Sequence, residues 1–172
     1  TQSDKSLGIY GSGWVDTETT YDNIMNKWKW GNFDKEDTFI DESYAAEIQA
    51  MKLIMMRTAD ALLQTGQKEK AANLANKFFE AFPHFNFTYD NSIIPFLEIL
   101  NGAGDKESAQ KHTDILAKQL FEEAKFIDSI DEDSFQSFKS DYSYAIKGLQ
   151  EVFKLSKEIS PEYGKEIDEL YG

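Results

Sequence analysis

Hydrophobic residues recur at helical spacing through most of this chain. Near the N-terminus, Tyr21, Ile24, Met25 and Trp28 fall at i, i+3, i+4 and i+7, which is the pattern of one apolar helix face. Later segments repeat this spacing, and no window alternates apolar and polar residues over enough positions to form a strand. The pattern predicts an all-α fold of about six to seven helices.

Capping and breaking residues predict where the helices begin and end. We expect helices over 16–31, 41–65, 67–82 and 91–102, a fifth after Asp105, a sixth ending near residue 158, and a short last helix from Pro161. Pro95 fits in the first turn of its helix, where the missing N–H is not needed. The second helix should present one continuous apolar face, formed by Tyr44, Ile48, Met51, Met55, Ala59 and Leu62.

A helical-hairpin signature occurs twice. Gly66, Ala71 and Pro83 stand at the spacings of a tetratricopeptide repeat, and Gly104 and Ala109 repeat the first two positions further along the chain. A period of ~34 residues is typical of stacked helix-turn-helix units, which usually bind partners. The sequence therefore predicts two tetratricopeptide-like hairpins, preceded by an N-terminal helix and closed by a C-terminal capping helix.

Composition limits the domain organisation and the class of partner. The length of 172 residues suits a single helical domain over 14–172, preceded by a polar, glycine-rich lead-in over 1–13 that we expect to be flexible. The chain has no cysteine, which excludes disulfides and thiolate chemistry. A formal net charge of −13 disfavours nucleic acid as a partner. No stretch reaches the ~20 apolar residues of a transmembrane helix.

The titratable residues do not suggest a catalytic or metal centre. His112 lies on an apolar helix face and is expected to be a hydrogen-bonded core residue, whereas His84 follows a helix-ending proline and is expected in a surface loop. The acids between 128 and 133 lack the glycine of a calcium loop and are better explained by the dipole of a helix N-terminus. We therefore assign no catalytic residue, metal or cofactor. A small enzyme whose acids converge only in the fold stays open as an alternative.

The most distinctive candidate surface is near the N-terminus. All three tryptophans, Trp14, Trp28 and Trp30, fall in the first 30 residues, and lysines lie beside them on an otherwise acidic chain. Trp28 belongs to the first helix face and is expected in the core. Exposed aromatic residues can stack on sugar rings or anchor a partner protein. The candidate binding residues are Trp14, Lys27, Trp30 and Asn32, which gives the hypothesis of a free-standing glycan- or peptide-binding module.

A family resemblance gives a second hypothesis. The segment 21–32, which contains Met25-Asn26-Lys27-Trp28-Lys29-Trp30-Gly31-Asn32, and the later Asp41-Glu42 resemble the start of the soluble C-terminal region of a family of multi-spanning membrane proteins of unknown function, common in Bacteroidetes. The membrane part of that family resembles glycosyltransferases of the protein O-mannosyltransferase type, and its C-terminal part resembles tetratricopeptide repeats. The resemblance covers most of residues 14–125.

The resemblance implies a location and a role. It implies that this chain lies on the extracytoplasmic, periplasmic side of a membrane protein, as a non-catalytic helical scaffold that binds or positions a protein or peptide. The partner can be the membrane part of the same polypeptide. The family's catalytic acids would lie in segments other than this one, so the resemblance assigns no catalytic residue here.

Overall fold

The computed structural model describes residues 15–36 and 38–172. Within these residues the fold is all-α, with seven α-helices and no strand, which confirms the predicted class. The helices are α1 Thr17–Asp22, α2 Ala45–Gln64, α3 Lys68–Ala81, α4 Ile94–Ala103, α5 Lys106–Asp128, α6 Glu132–Ile159 and α7 Pro161–Tyr171. A π turn, Asn23–Lys27, continues α1, and 3₁₀ turns at Glu42–Tyr44 and Asn91–Ile93 precede α2 and α4.

The described chain divides into two compact units. Unit 1 comprises residues 15–88 and 102–105, and unit 2 comprises residues 89–101 and 106–172. The expectation of one continuous domain over 14–172 stays a prediction. The predicted flexible lead-in, 1–13, lies outside the described residues.

The two repeat glycines occupy equivalent turns. Gly66 follows α2 with φ +80°, and Gly104 follows α4 with φ +96°, so both lie in the left-handed region that side chains other than glycine rarely adopt. A Cβ atom added at either glycine would meet no atom within 4 Å, so these turns require glycine for its backbone freedom. Ala71 and Ala109 are fully buried. The tetratricopeptide-like hairpin geometry is therefore confirmed.

The hairpin of α2 and α3 forms the core of unit 1. The second half of α2 buries Met55, Ala59 and Leu62, and α3 buries its apolar face, which includes Ala71, Leu74, Ala75 and Phe78. The last residue of α3 is Ala81, two residues before Pro83, as a helix-stopping proline requires.

The apolar face predicted for α2 is buried only along the second half of the helix. Tyr44 is exposed, and Ile48 and Met51 are only half-buried. Met55 is the first buried residue of α2, because the helices that cover the second half of α2 do not extend over its first half.

Unit 2 is built on α6, which packs along α5 and α7. The side chain of Asp131 caps α6, since it accepts the Ser134 N–H at 3.0 Å and the Ser134 hydroxyl at 2.8 Å. Ser160 caps α7 in the same way, and Pro161 occupies the first turn. Asp131, Glu132 and Asp133 therefore stand at the start of α6, as predicted, whereas Asp128 is the last residue of α5 and is not explained by a helix N-terminus.

The first helix ends earlier than predicted. The sequence predicted 16–31, but the helical backbone stops at Lys27, where the Trp28 N–H bonds the Asn23 carbonyl at 2.9 Å. Trp28 is extended, and Gly31 and Asn32 both have φ +60°, a conformation that cannot continue a right-handed helix. The expectation that Trp28 is a core residue of this helix is wrong, since the side chain lies beyond the helix and is half-buried.

Candidate functional site

Residues 28–36, which follow the π turn, are called the connector. The connector brings Trp30 against the end of α3. The Trp30 ring lies edge-on to Phe82 at 5.9 Å between centroids, and Trp28 lies 5.7 Å from Trp30. Phe82 also contacts Phe87 at 5.2 Å and Phe33 at 6.3 Å. We call these five residues the aromatic cluster. Phe82 is 1% exposed, so the cluster anchors a half-buried Trp30 on the core of unit 1.

Hydrogen bonds hold the connector beside the aromatic cluster. The Asn86 side-chain amide donates to the carbonyls of Phe33 and Lys35, both at 2.8 Å. The carbonyl of Asn32 accepts the Thr38 hydroxyl at 2.9 Å. Asn32, one of the sequence-predicted binding residues, is therefore part of a left-handed turn that shapes the connector.

A cleft of about 410 Å³ opens beside Trp30. Its lining consists of Trp30, Asp34, Lys77, Glu80 and Ala81, which come from the connector and from the last turns of α3. We call it the Trp30 cleft. Trp30 and Ala81 provide the apolar surface, and three charged side chains surround it. An apolar wall with a few polar groups is the usual composition of a small-ligand site.

The charges of the Trp30 cleft are paired. Lys77 Nζ lies 3.2 Å from Glu80 Oε2 and 5.8 Å from the centroid of the Trp30 ring. Lys35 Nζ lies 2.8 Å from Asp34 Oδ2. The hydrogen bond from Lys35 lowers the pKa of the Asp34 carboxyl, and the charge of Lys77 acts in the same direction. Asp34 is therefore ionised at neutral pH, and two carboxylates face two ammonium groups.

Of the sequence-predicted binding residues that lie in the described part of the chain, Lys27, Trp30 and Asn32, one lines this cleft, namely Trp30. Lys27 instead bonds Asn23 Oδ1 at 2.9 Å and pairs with Asp22 within its own turn. Trp14 lies outside the described residues. Sequence reasoning missed Asp34, Lys77 and Glu80. The i, i+3 spacing of Lys77 and Glu80 predicts their ion pair, but nothing local predicts that this pair lies beside Trp30.

A second candidate surface is formed by the first half of α2 and by two aromatic residues that precede the helix, Phe39 and Tyr44. Phe39 is 85% exposed, Tyr44 49%, Leu53 41% and Ile54 40%. We call these four residues the α2 surface. At 100° per residue, Tyr44 lies on the opposite side of the helix from Leu53, so one packed neighbour cannot cover both. A helix that is apolar on several sides is normally enclosed by other elements.

The polar side chains of unit 2 that could belong to a site, His112 and Asp114, are hydrogen-bonded to buried tyrosines. His112 is buried, and its Nδ1 lies 3.0 Å from the Tyr89 hydroxyl, which confirms the expected hydrogen-bonded core histidine. The Tyr163 hydroxyl donates to Asp114 Oδ1 at 2.6 Å. Over residues 15–36 and 38–172, no three histidine, aspartate or glutamate residues are placed to hold a metal ion.

Comparison with protein-family models, with curated proteins and with solved structures finds no match to this chain. Among the helices of the described chain, none has both the length and the apolar character needed to cross a membrane. The Trp30 cleft and the α2 surface are therefore the two candidate sites of recognition.

Proposed function

We propose that this chain is a non-catalytic helical interaction domain. The observation that carries the proposal is the α2 surface, where Leu53 and Ile54 on α2 and Phe39 and Tyr44 just before it stay exposed. Large apolar side chains that stay exposed on several sides of one segment are candidates for contact with a partner. The tetratricopeptide-like hairpins supply a rigid support for such a surface.

We further propose the context that the resemblance implies, an extracytoplasmic region of a membrane glycosyltransferase-like protein. The segment 21–32 supports this context, and in the structure it forms the last two residues of α1, the π turn and the first part of the connector, which carries Trp30. The partner in this proposal is a protein or peptide, either a substrate or the membrane part of the same polypeptide.

Site-specific photo-crosslinking tests the interaction domain. A photoreactive phenylalanine at Leu53 is expected to give a discrete protein adduct in the source cells. The same residue at Lys118, whose side chain is 66% exposed on α5, serves as the control and is expected to give none. Equal adducts from both positions, or none from Leu53, would contradict the proposal.

Fractionation tests the context separately. An antibody raised to this chain is expected to detect a membrane band far heavier than 19.7 kDa. A band near 19.7 kDa in the soluble fraction would reject the membrane-protein context and leave the crosslinking result standing.

The Trp30 cleft supports a second candidate function, a free-standing glycan- or peptide-binding module. The supporting observation is the half-buried Trp30 ring beside three charged side chains in a cleft of about 410 Å³. The two functions use different residues, so substitutions at Glu80 and at Leu53 separate them.

A further inference from the structure

We propose that the Trp30 cleft binds a neutral carbohydrate, with one sugar ring against the Trp30 indole. This inference rests on the second candidate function above and specifies its ligand. A sugar ring has C–H faces that pack on an aromatic ring, and a rim of hydroxyl groups that both donate and accept hydrogen bonds. The Trp30 ring complements the C–H face of the sugar, and the charged side chains of the cleft offer hydrogen-bond donors and acceptors to its hydroxyl groups.

The apolar part of the cleft is firmly supported. Trp30 packs on Phe82, which is 1% exposed, and on Trp28, so its ring does not have to be immobilised by the ligand. The Asn86 amide holds the connector that carries Asp34 through two hydrogen bonds of 2.8 Å. A site that is already ordered loses less conformational entropy when a ligand binds.

The polar part of the cleft selects against charged ligands. Asp34 and Glu80 offer carboxylate acceptors, and Lys77 offers ammonium hydrogens. A basic peptide side chain would meet Lys77, whose Nζ already lies 5.8 Å from the Trp30 centroid. An acidic peptide side chain would meet Asp34 and Glu80. Because these charges are balanced by Lys77 and Lys35, a neutral ligand that donates and accepts fits best.

The size of the cleft agrees with a small sugar. A volume of about 410 Å³ lies within the ~300–1,000 Å³ of small-ligand sites. The carboxylates are on the exposed side, since 43% of the Asp34 side chain and 67% of the Glu80 side chain are accessible. A longer glycan can therefore extend out of the cleft into solvent.

The test is a titration of the whole chain with neutral trisaccharides built from glucose, mannose, galactose or N-acetylglucosamine. Binding is followed by tryptophan fluorescence and by saturation transfer to the sugar protons. The variants are Trp30→Ala, Glu80→Gln and Lys77→Met. Glu69→Gln and Lys68→Met are matched controls, because both residues are exposed on the same helix, outside the cleft.

We expect at least one trisaccharide to bind saturably. Glu80→Gln should weaken saccharide binding by about tenfold, since a neutral amide oxygen replaces a charged acceptor, and the controls should leave binding unchanged. Binding should be the same at about 50 mM and about 500 mM NaCl, because the ligand is neutral. Since Trp30→Ala can disturb the aromatic cluster, Glu80→Gln and Lys77→Met, which change polar groups outside that cluster, decide the result.

Two outcomes would overturn the inference in different ways. Binding of oligolysine or oligoglutamate that weakens with salt and with the cleft variants, without saccharide binding, would reject the carbohydrate and keep the binding module. No binding of any of these probes, or saccharide binding that Glu80→Gln and Lys77→Met leave unchanged, would reject both the carbohydrate and the cleft as a binding site.

Discussion

In unit 1, exposed charged side chains meet an aromatic ring at a cleft, whereas in unit 2 two buried tyrosines bond polar side chains of α5. Trp30, Asp34 and Lys77 line the Trp30 cleft. In unit 2, Tyr89 bonds His112 and Tyr163 bonds Asp114. The paired carboxylates of the cleft are solvent-accessible and can exchange water for a ligand, whereas the tyrosine hydroxyls of unit 2 are buried and already bonded. Unit 1 is therefore the better place to look for recognition.

The strongest challenge to this comparison is Phe82→Ala, which removes the centre of the aromatic cluster. We expect a loss of about 3–5 kcal/mol in the free energy of unfolding, because a fully buried phenylalanine leaves a cavity. Urea unfolding followed by circular dichroism measures it. Phe85→Ala, at a side chain 55% exposed, is the control and should cost under about 1 kcal/mol. Equal losses would mean that the cluster does not anchor unit 1.

Asn86→Ala tests whether the connector is fixed by hydrogen bonds. Two carbonyls lose their donor, so we expect a loss of about 1–2 kcal/mol in unfolding free energy, together with a changed fluorescence of Trp30. Asn73→Ala, at an exposed position on α3, is the control and should change neither quantity. An unchanged spectrum in Asn86→Ala would show that the connector keeps its position without this side chain.

Tyr163→Phe tests the bonded polar groups of unit 2. The hydroxyl donates to Asp114 at 2.6 Å, and burial, with the Asp114 acceptor, raises the pKa of Tyr163. We expect a loss of about 1 kcal/mol in unfolding free energy at neutral pH. Tyr142→Phe, whose ring packs on Phe135, should cost less. An unchanged free energy of unfolding in Tyr163→Phe would contradict this, since the hydrogen bond in unit 2 would then add nothing to stability.

Glu123→Gln is the smallest and most specific test. Burial raises the pKa of Glu123, with further contributions from Asp141 and Asp90, so its charge opposes folding. Because the pKa of Glu123 is higher in the folded than in the unfolded chain, where it is about 4.3, this group stabilises the fold at a pH below about 4.3. That stabilisation is lost as the pH rises through the folded pKa. We expect Glu123→Gln to stabilise by up to about 0.5 kcal/mol at pH 7 and by less at pH 3. Melting temperatures at the two pH values measure the difference, and destabilisation at pH 7 would contradict it.

Features set by local chemistry could be predicted from the sequence. Gly66, Gly104 and Pro83 bound helices close to where the spacing placed them, because a left-handed turn and a missing N–H act on their own neighbours. His112 was also predictable, since its helix face is otherwise apolar.

Features set by distant contacts could not be predicted. The Trp30 cleft joins a connector to α3, more than forty residues later, and neither segment alone indicates that they meet. The first half of α2 has the same apolar spacing as the second, yet only the second is covered. The helical backbone ends at Lys27 with a π turn and an extended Trp28, before the left-handed Gly31 and Asn32, and the apolar spacing of the segment continues to Trp28 without indicating this end.

The two repeat turns impose a constraint of handedness and not of size. Gly66 and Gly104 have positive φ, and the Cβ of an L-residue would meet no atom within 4 Å, so it is the backbone angle that disfavours L-residues there. A residue of opposite chirality prefers this backbone conformation, and its methyl group would restrict the unfolded chain, which stabilises a fold by about 0.4–1 kcal/mol per site. A chemically synthesised chain with D-alanine at both turns should therefore keep the hairpins and melt at a higher temperature, whereas L-alanine at the same places should lower it.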